Sequence, residues 1–208
     1  MNKKVKALLL VLCALVLFAS GIFATLAYLQ DTTEEVAKNT FTIGDINITL
    51  DEAVVDEYGV AADPENNRTA TEQKYTVVAG EKYTKDPTIH VAEGSEPAWL
   101  YAKVTNGIKE LLAADGIEWV EGWTLVDGYT DLYVYANQVN AKTQDQDVTI
   151  FKSITFDTDV TNDVATETAY NGKQITVQGF AIQAKGFATA LDAKAEAATA
   201  LIATPVQP

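Results

Sequence analysis

The segment AWLYAKV at residues 98–104 decides the class of fold. Aliphatic side chains alternate with aromatic or charged ones along it, Leu100, Ala102 and Val104 against Trp99, Tyr101 and Lys103. A period of two is that of a β-strand whose faces meet different surroundings. We therefore expect a strand that turns its aliphatic face to a core and its aromatic face to the rim or the outer surface of a sheet.

Other segments of the chain share this character. Residues 131–136, DLYVYA, repeat the alternation, with Leu132 and Val134 expected inside and Tyr133 and Tyr135 outside. Further candidate strands are residues 40–50, 74–78, 88–91, 148–156 and 174–183. Glycine, asparagine and proline residues separate them, as turns require. Many short strands with few helices predict an all-β fold, specifically a β-sandwich of the jelly-roll type.

Helices are expected to be short and few. Asn106 is placed to cap one that contains Ile108, Leu111 and Leu112. A second is predicted near the C-terminus, where apolar residues recur at helical spacing: Phe187, Leu191, Ala195, Ala198 and Ile202. No repeat or linker divides the chain, so we expect a single domain after the N-terminal segment.

The N-terminal segment has the pattern of a secretory signal peptide. Three lysines precede an uncharged run at residues 7–29, and the chain turns acidic directly afterwards. The small residues Thr25 and Ala27 predict cleavage after Ala27, so that residues 1–27 are removed and a domain of residues 28–208 begins at Tyr28. The alternative is an uncleaved membrane anchor, because a run of about 23 residues is long enough to span a bilayer.

The charge and the rare residue types exclude several functions. The chain has 15 basic and 29 acidic residues, a net charge of −14, which opposes binding to nucleic acid; a membrane contact is expected only through the uncleaved signal. The single cysteine, Cys13, lies in the predicted signal, so the mature chain would contain no disulfide. The single histidine, His90, is expected to be a surface or rim residue, and it cannot supply a two-histidine zinc motif. What remains is mainly binding, assembly or carboxylate chemistry, and among these we expect a protein that is not an enzyme and that has no cofactor.

Two pairs of aspartates are the candidates for a metal site. Asp145 with Asp147, and Asp157 with Asp159, have the spacing that places two carboxylates on one side of an extended segment, as calcium loops require. The glycine and glutamate of an EF-hand loop are missing at the corresponding positions. Weak calcium binding and a solvated acidic edge are both compatible with this pattern.

Four blocks of sequence resemble a known family. They are ATLAYLQD at 24–31, TFTIGDINITLDE at 40–52, EKYTKDPTIHVAEGSEPAWLYAKV at 81–104 and ITVQGFAIQAKGF at 175–187. In these blocks the chain resembles the TasA and camelysin-like proteins, which Gram-positive bacteria export with a SipW-dependent signal peptide. Within that family it is most similar to a clostridial-type branch.

The resemblance implies a jelly-roll sandwich, a signal removed by a SipW-type signal peptidase, and a place in the extracellular matrix or at the cell surface. It also implies a structural subunit that forms head-to-tail homopolymers by donor-strand exchange, a form of β-augmentation. The donor segment would be residues 28–39, with Tyr28, Leu29, Val36 and Ala37 as its apolar residues. An accessory anchoring or initiator protein is a further possible partner.

Two alternatives to a fibre subunit stay open at this point. One is a monomeric secreted surface or ligand-binding module, and the other is an extracellular hydrolase. Camelysin-like relatives have been described as proteases, but this sequence has no recognisable set of metal ligands, so the resemblance does not extend to that activity.

Overall fold

The computed structural model describes residues 45–161 and 169–206. The predicted signal peptide, its cleavage site at Ala27 and Tyr28, and the donor segment with Leu29, Val36 and Ala37 lie outside the described residues. The described strands are β1 (Ile48–Ala53), β2 (Arg68–Thr69), β3 (Lys82–Thr84), β4 (Thr88–Val91), β5 (Ala98–Asn106), β6 (Leu112–Trp119), β7 (Trp123–Leu125), β8 (Leu132–Tyr135), β9 (Gln146–Thr149), β10 (Phe151–Phe156) and β11 (Ile175–Gln183). The described helices are two 3₁₀-helices, Lys109–Leu111 and Ala190–Ala193, and the α-helix α1 (Lys194–Leu201).

The strands form three antiparallel sheets. Their orders are β2-β1-β4-β9, β3-β10-β6 and β11-β5-β8-β7. The first two sheets are joined, because β3 leads into β4 and β9 leads into β10. At the bend between them, the Ile150 amide donates to the Pro87 carbonyl at 2.8 Å and the Lys85 amide donates to the Lys152 carbonyl at 3.3 Å. The prediction of an all-β protein with a short C-terminal helix is therefore confirmed.

The main core lies between this bent layer and the third sheet. Ile89 and Val91 of β4 are fully buried in the same cluster as Leu100 and Ala102 of β5. Gly179 of β11 allows a close approach, since a Cβ atom there would lie 3.2 Å from the Ile89 side chain. The aliphatic face of residues 98–104 thus points into the core, as the sequence predicts.

The opposite face of the third sheet is covered by the C-terminal helical segment. Tyr101 is fully buried there, and its hydroxyl donates to the Ala190 carbonyl. Burial, with the negative charges of Glu196 and Asp192, raises the pKa of Tyr101 to about 12. The expectation that this face lies at the rim or the surface is therefore wrong for Tyr101, because the helical segment forms a third layer over it.

The two faces of β8 point in directions opposite to those predicted. Val134 lies opposite Tyr101 and Tyr133 lies opposite Ala102 in the ladder between β8 and β5. The aliphatic residues of β8 therefore face the helical layer, and its tyrosines face the main core. There the Tyr133 ring stacks on Trp119 with ring centroids 4.1 Å apart. Alternation could not tell the two faces apart, because both are covered.

The face that the C-terminal helical segment presents matches the predicted one only in part, since Phe187 and Ala198 pack against the sheet. The residues that it buries against the sheet are Ala190, Ala193, Ala197 and Leu201. In the predicted apolar face, Leu191 is 54% exposed and Ile202 is 80% exposed. Small alanines face the sheet here, which lets the helix pack closely, so the position of the large apolar residues was misleading.

Three further segments differ from their predictions. Residues 148–156 form two strands that separate at Ile150, and residues 74–78 are extended but belong to no ladder. The Asn106 side chain accepts a hydrogen bond from the Ile108 amide, but only a single 3₁₀ turn follows. Leu112 then begins β6, an unpredicted strand in which Asp115 and Gly116 interrupt the hydrophobic alternation.

Candidate functional site

A groove with a volume of about 1100 Å³ opens along one side of the sandwich. Its apolar floor is formed by Ile108, Leu111, Ile154 and Phe156. Pockets that enclose small ligands measure roughly 300–1,000 Å³, so this groove lies at or above the upper end of that range. Two segments of chain that line the groove are called the first and second banks.

The first bank is the start of β11, residues 175–177. Strand β11 pairs with β5 along its whole length, from Ile175 to Gln183. Among the described residues it pairs with no strand on its other side, where it is the edge of its sheet. An open edge of this kind presents a row of backbone N–H and C=O groups that another strand can use.

The second bank is the extended segment at residues 74–77. Its burial alternates, since Tyr75 and Val77 pack against the main core while Lys74 and Thr76 are exposed. The Thr76 amide donates to the Glu57 carbonyl at 2.7 Å, and the Thr76 carbonyl accepts a hydrogen bond of 2.7 Å from the Tyr83 hydroxyl. These contacts hold the segment in place from one side.

Buried polar groups line the groove beside the second bank. The Lys85 ammonium lies 2.7 Å from a Glu52 carboxylate oxygen, with only 9% and 15% of these side chains exposed. The same ammonium lies 5.8 Å from the centre of the Tyr75 ring, within the range of a cation–π contact.

The Tyr75 hydroxyl is the polar group at the groove that lacks a partner. It is buried and makes no hydrogen bond among the described residues. Burial, with the negative charges of Glu52 and Asp86, raises the pKa of Tyr75. The hydroxyl therefore keeps its proton at neutral pH and is available as a donor to a group that enters the groove.

A chain of charged side chains crosses the strands next to the groove. His90 on β4 contacts Asp147 on β9 and Asp51 on β1, and Arg68 on β2 contacts both Asp51, at 2.6 Å, and Asp86, at 2.8 Å. Asp51 itself lines the groove. We call these five residues the charge network.

In the charge network, the pKa values of His90 and Asp51 are shifted so that each favours its charged form. Burial alone would lower the pKa of His90, but hydrogen bonds and attraction to Asp51 and Asp147 raise it overall. Burial alone would raise the pKa of Asp51, but hydrogen bonds and attraction from His90 and Arg68 lower it overall. Through Arg68, the network connects β2 to Asp51 on β1 and to Asp86, which precedes β4. The chain continues from β2 into the second bank.

The four predicted aspartates do not meet at one site. Asp145 accepts a hydrogen bond of 2.7 Å from the Glu93 amide, and Asp147 contacts His90. Asp157 accepts a hydrogen bond of 2.8 Å from the Asp159 amide. The first pair lies at the start of β9 and the second follows the end of β10. Within residues 45–161 and 169–206, no group of three or more His, Cys, Asp or Glu side chains is arranged to hold a metal ion.

Local sequence patterns do not reveal the groove residues or the charge network. Arg68 lies in a stretch that reads as a polar loop, and His90 was expected to be a plain surface or rim residue. Their partners are distant in the sequence; Asp147, for example, lies 57 positions after His90. No local spacing reports such contacts, although the alternation of residues 88–91 does place His90 on the face opposite Ile89 and Val91.

Comparisons with known proteins give no match. No protein-family model, no curated protein and no solved structure matches this chain. In the part of the chain that the structure describes, none of the helices has both the length and the apolar character needed to cross a membrane.

Proposed function

We propose that this protein is a secreted structural subunit of extracellular fibres, in a biofilm matrix or at the cell surface, and that it is not an enzyme. Subunits assemble by donor-strand exchange, in which residues 28–39 of one copy enter the groove of the next. The observation that supports this most directly is the open edge of β11 beside a groove with an apolar floor. An incoming strand there gains backbone hydrogen bonds and buries its apolar side chains.

The ends of the sandwich favour a head-to-tail arrangement. The described chain starts at Asp45, whose carbonyl accepts a hydrogen bond of 3.1 Å from the Glu96 amide. Glu96 lies just before β5, whose first residue pairs with Gln183, while the groove lies at the Ile175 end of β11. Eight residues of strand separate these ends by about 27 Å. The first described residue thus lies at the end of β11 remote from the groove, and contacts between unlike ends repeat without closing.

The remaining parts of the proposal come from the sequence resemblance. They are membership of the TasA and camelysin-like family, a jelly-roll form of the sandwich, removal of residues 1–27 by a SipW-type signal peptidase, and homopolymers with an accessory anchoring or initiator protein as an optional partner. Calcium would act in this proposal only as a weak ligand of the acidic surface, since the mature chain has 12 basic and 29 acidic residues.

A monomeric secreted ligand-binding module is the second candidate function. The unpartnered Tyr75 hydroxyl and the Lys85–Glu52 pair support it, because small-ligand sites place a few polar groups in a mainly apolar cavity. In that case the groove would bind a soluble ligand and the N-terminal segment would play no part.

Electron microscopy of two proteins tests the proposal. One begins at Tyr28 and the other at Thr40, and both are imaged at micromolar concentration, at neutral and mildly acidic pH, with and without calcium. We expect filaments only from the longer protein, while circular dichroism shows the same folded β-structure in both. Monodisperse particles of the longer protein under every condition would refute the fibre proposal and favour the binding module.

A further inference from the structure

We infer that residues 74–78 are a second docking edge of the groove, so that an incoming strand pairs with β11 on one side and with this segment on the other. The inference rests on the proposed function, because the incoming strand is the 28–39 segment of another copy. It adds a specific set of backbone groups, those of Tyr75 and Val77, to the site.

The hydrogen bonds of the segment show which of its edges is open. In an extended strand, the N–H and C=O of one residue point to the same side, and those of the next residue point to the other. Both backbone groups of Thr76 are bonded, and the Val78 amide donates to the Tyr83 hydroxyl at 3.0 Å. These contacts occupy the edge that faces Glu57 and Tyr83. The opposite edge presents the groups of Tyr75 and Val77, which have no backbone partner among the described residues.

The sequence of the segment is that of a strand. Residues 74–78, KYTVV, consist mainly of aromatic and β-branched residues, which are enriched in strands. In the structure the segment keeps the alternating burial of a strand but belongs to no ladder. A segment with strand sequence, strand-like burial and one bonded edge is a strand that lacks a partner.

The two banks are held near each other. The Gln174 side-chain amide, next to β11, donates to a Glu72 carboxylate oxygen, next to the second bank, at 2.9 Å. This contact limits the distance between the banks to what two side chains can span. A single strand between two edges requires a gap of about 9.6 Å, twice the spacing of neighbouring strands.

The 28–39 segment suits a position between two open edges. Its sequence, YLQDTTEEVAKN, contains no proline, so each residue has an N–H group to donate. The segment has three acidic residues and one lysine. Lys74 on the second bank and Lys173 beside the first are exposed, and no ion pair holds either of them in residues 45–161 and 169–206. The charges of the segment and of the banks are thus complementary.

Peptide binding tests the inference. A labelled peptide of residues 28–39 is titrated with the protein that begins at Thr40, and its dissociation constant is measured by fluorescence anisotropy. Val77→Pro removes an N–H on the open edge. The matched control compares Lys74→Pro with Lys74→Ala, because both lack the ammonium and they differ in an N–H on the edge that faces away from the groove. We expect Val77→Pro to weaken binding about tenfold, the effect of one lost hydrogen bond, and Lys74→Pro to bind as Lys74→Ala does.

Hydrogen exchange on the unchanged protein tests the second docking edge without any substitution. With the peptide bound, we expect the amides of Tyr75 and Val77 to become protected together with amides of β11. Protection of β11 alone, or equal binding by Val77→Pro and the unchanged protein, would overturn the second docking edge and leave the fibre proposal standing. Absence of peptide binding to the unchanged protein would overturn both.

Discussion

His90 Nδ1 lies 2.6 Å from Oδ1 of Asp147 on the neighbouring strand β9. The other ring nitrogen, Nε2, lies 2.9 Å from Oδ1 of Asp51 on β1, on the opposite side of β4. The single histidine of the chain therefore connects three strands. A protonated imidazole donates to both carboxylates, whereas a neutral one has a single N–H and leaves one carboxylate facing a lone pair.

The first prediction is a loss of stability with rising pH. Burial opposes the rise in the His90 pKa, but its hydrogen bonds and the two negative charges outweigh burial, so the folded pKa lies above the unfolded value near 6.5. The contribution of His90 is present in full below the unfolded pKa and is lost as the pH rises through the folded pKa. We expect His90→Gln to remove about 1 kcal/mol of pH-dependent free energy of unfolding. The effect is small because His90 and its two carboxylate partners are partly exposed. Urea unfolding at a series of pH values above 5 measures it, and an identical pH slope in the variant would contradict the prediction.

A second prediction concerns the face of α1. Ala197 is fully buried against the third sheet, whereas Ala195 is exposed. Ala197→Leu forces extra atoms into a packed interface and is expected to lower the free energy of unfolding by about 1–3 kcal/mol. Ala195→Leu is the matched control and should change it by less than about 0.5 kcal/mol. Thermal unfolding compares the two variants, and equal effects would show that the helix does not pack through this face.

A third prediction uses a glycine that contacts the Tyr83 ring. Gly59 has a φ of +72°, and a Cβ there would lie 2.1 Å from Tyr83 Cδ1. Gly94 has a φ of +88° with nothing within 4 Å of the same position. The variants Gly59→Ala and Gly94→Ala both place a Cβ on a left-handed backbone, which costs about 1–2 kcal/mol. We expect Gly59→Ala to be further destabilised by about 2 kcal/mol in denaturant unfolding, because Tyr83 must move. Similar losses in both variants would contradict this.

A fourth prediction separates the charge network from ordinary surface pairs. Arg68 is 16% exposed and bonds to Asp51 and Asp86, while the Lys142–Glu96 pair, at 3.0 Å, has exposures of 51% and 38%. Arg68→Ala leaves Asp86 without its cation and Asp51 with His90 alone, and it should lower the free energy of unfolding by about 2 kcal/mol. Lys142→Ala is expected to change it by less than about 0.5 kcal/mol. Urea unfolding at neutral pH compares the two variants. If Arg68→Ala lowers the free energy of unfolding no more than Lys142→Ala does, the network has no structural role.

Local sequence predicted the strands whose pattern matches their surroundings. Residues 88–91 form β4 as predicted, and residues 174–183 differ from β11 by a single residue. In both, β-branched or aromatic residues are bounded by turn residues, so the local preference and the tertiary environment agree. The strand at residues 98–104 extends to Asn106, since its ladder with β11 continues to that residue.

Tertiary packing decided what local sequence could not. The third sheet is covered on both faces, so alternation could not show that Tyr133 faces the main core while Tyr101 faces the helix. The groove and the charge network are built from segments far apart in the chain, and no spacing motif marks them. The segment at residues 74–78 is a different case, since its sequence favours a strand and no described neighbour supplies the partner.

The position of the groove relative to the start of the described chain sets a length scale. In the proposed assembly, joining copies through opposite ends of β11 would advance each subunit by a distance comparable to the length of that strand, which is on the order of 30 Å for nine residues. A filament of this kind would show an axial repeat of that size or larger, far above the 4.7–4.8 Å spacing of amyloid strands stacked along a fibril axis. Its diffraction would distinguish an array of folded domains from a cross-β amyloid fibril.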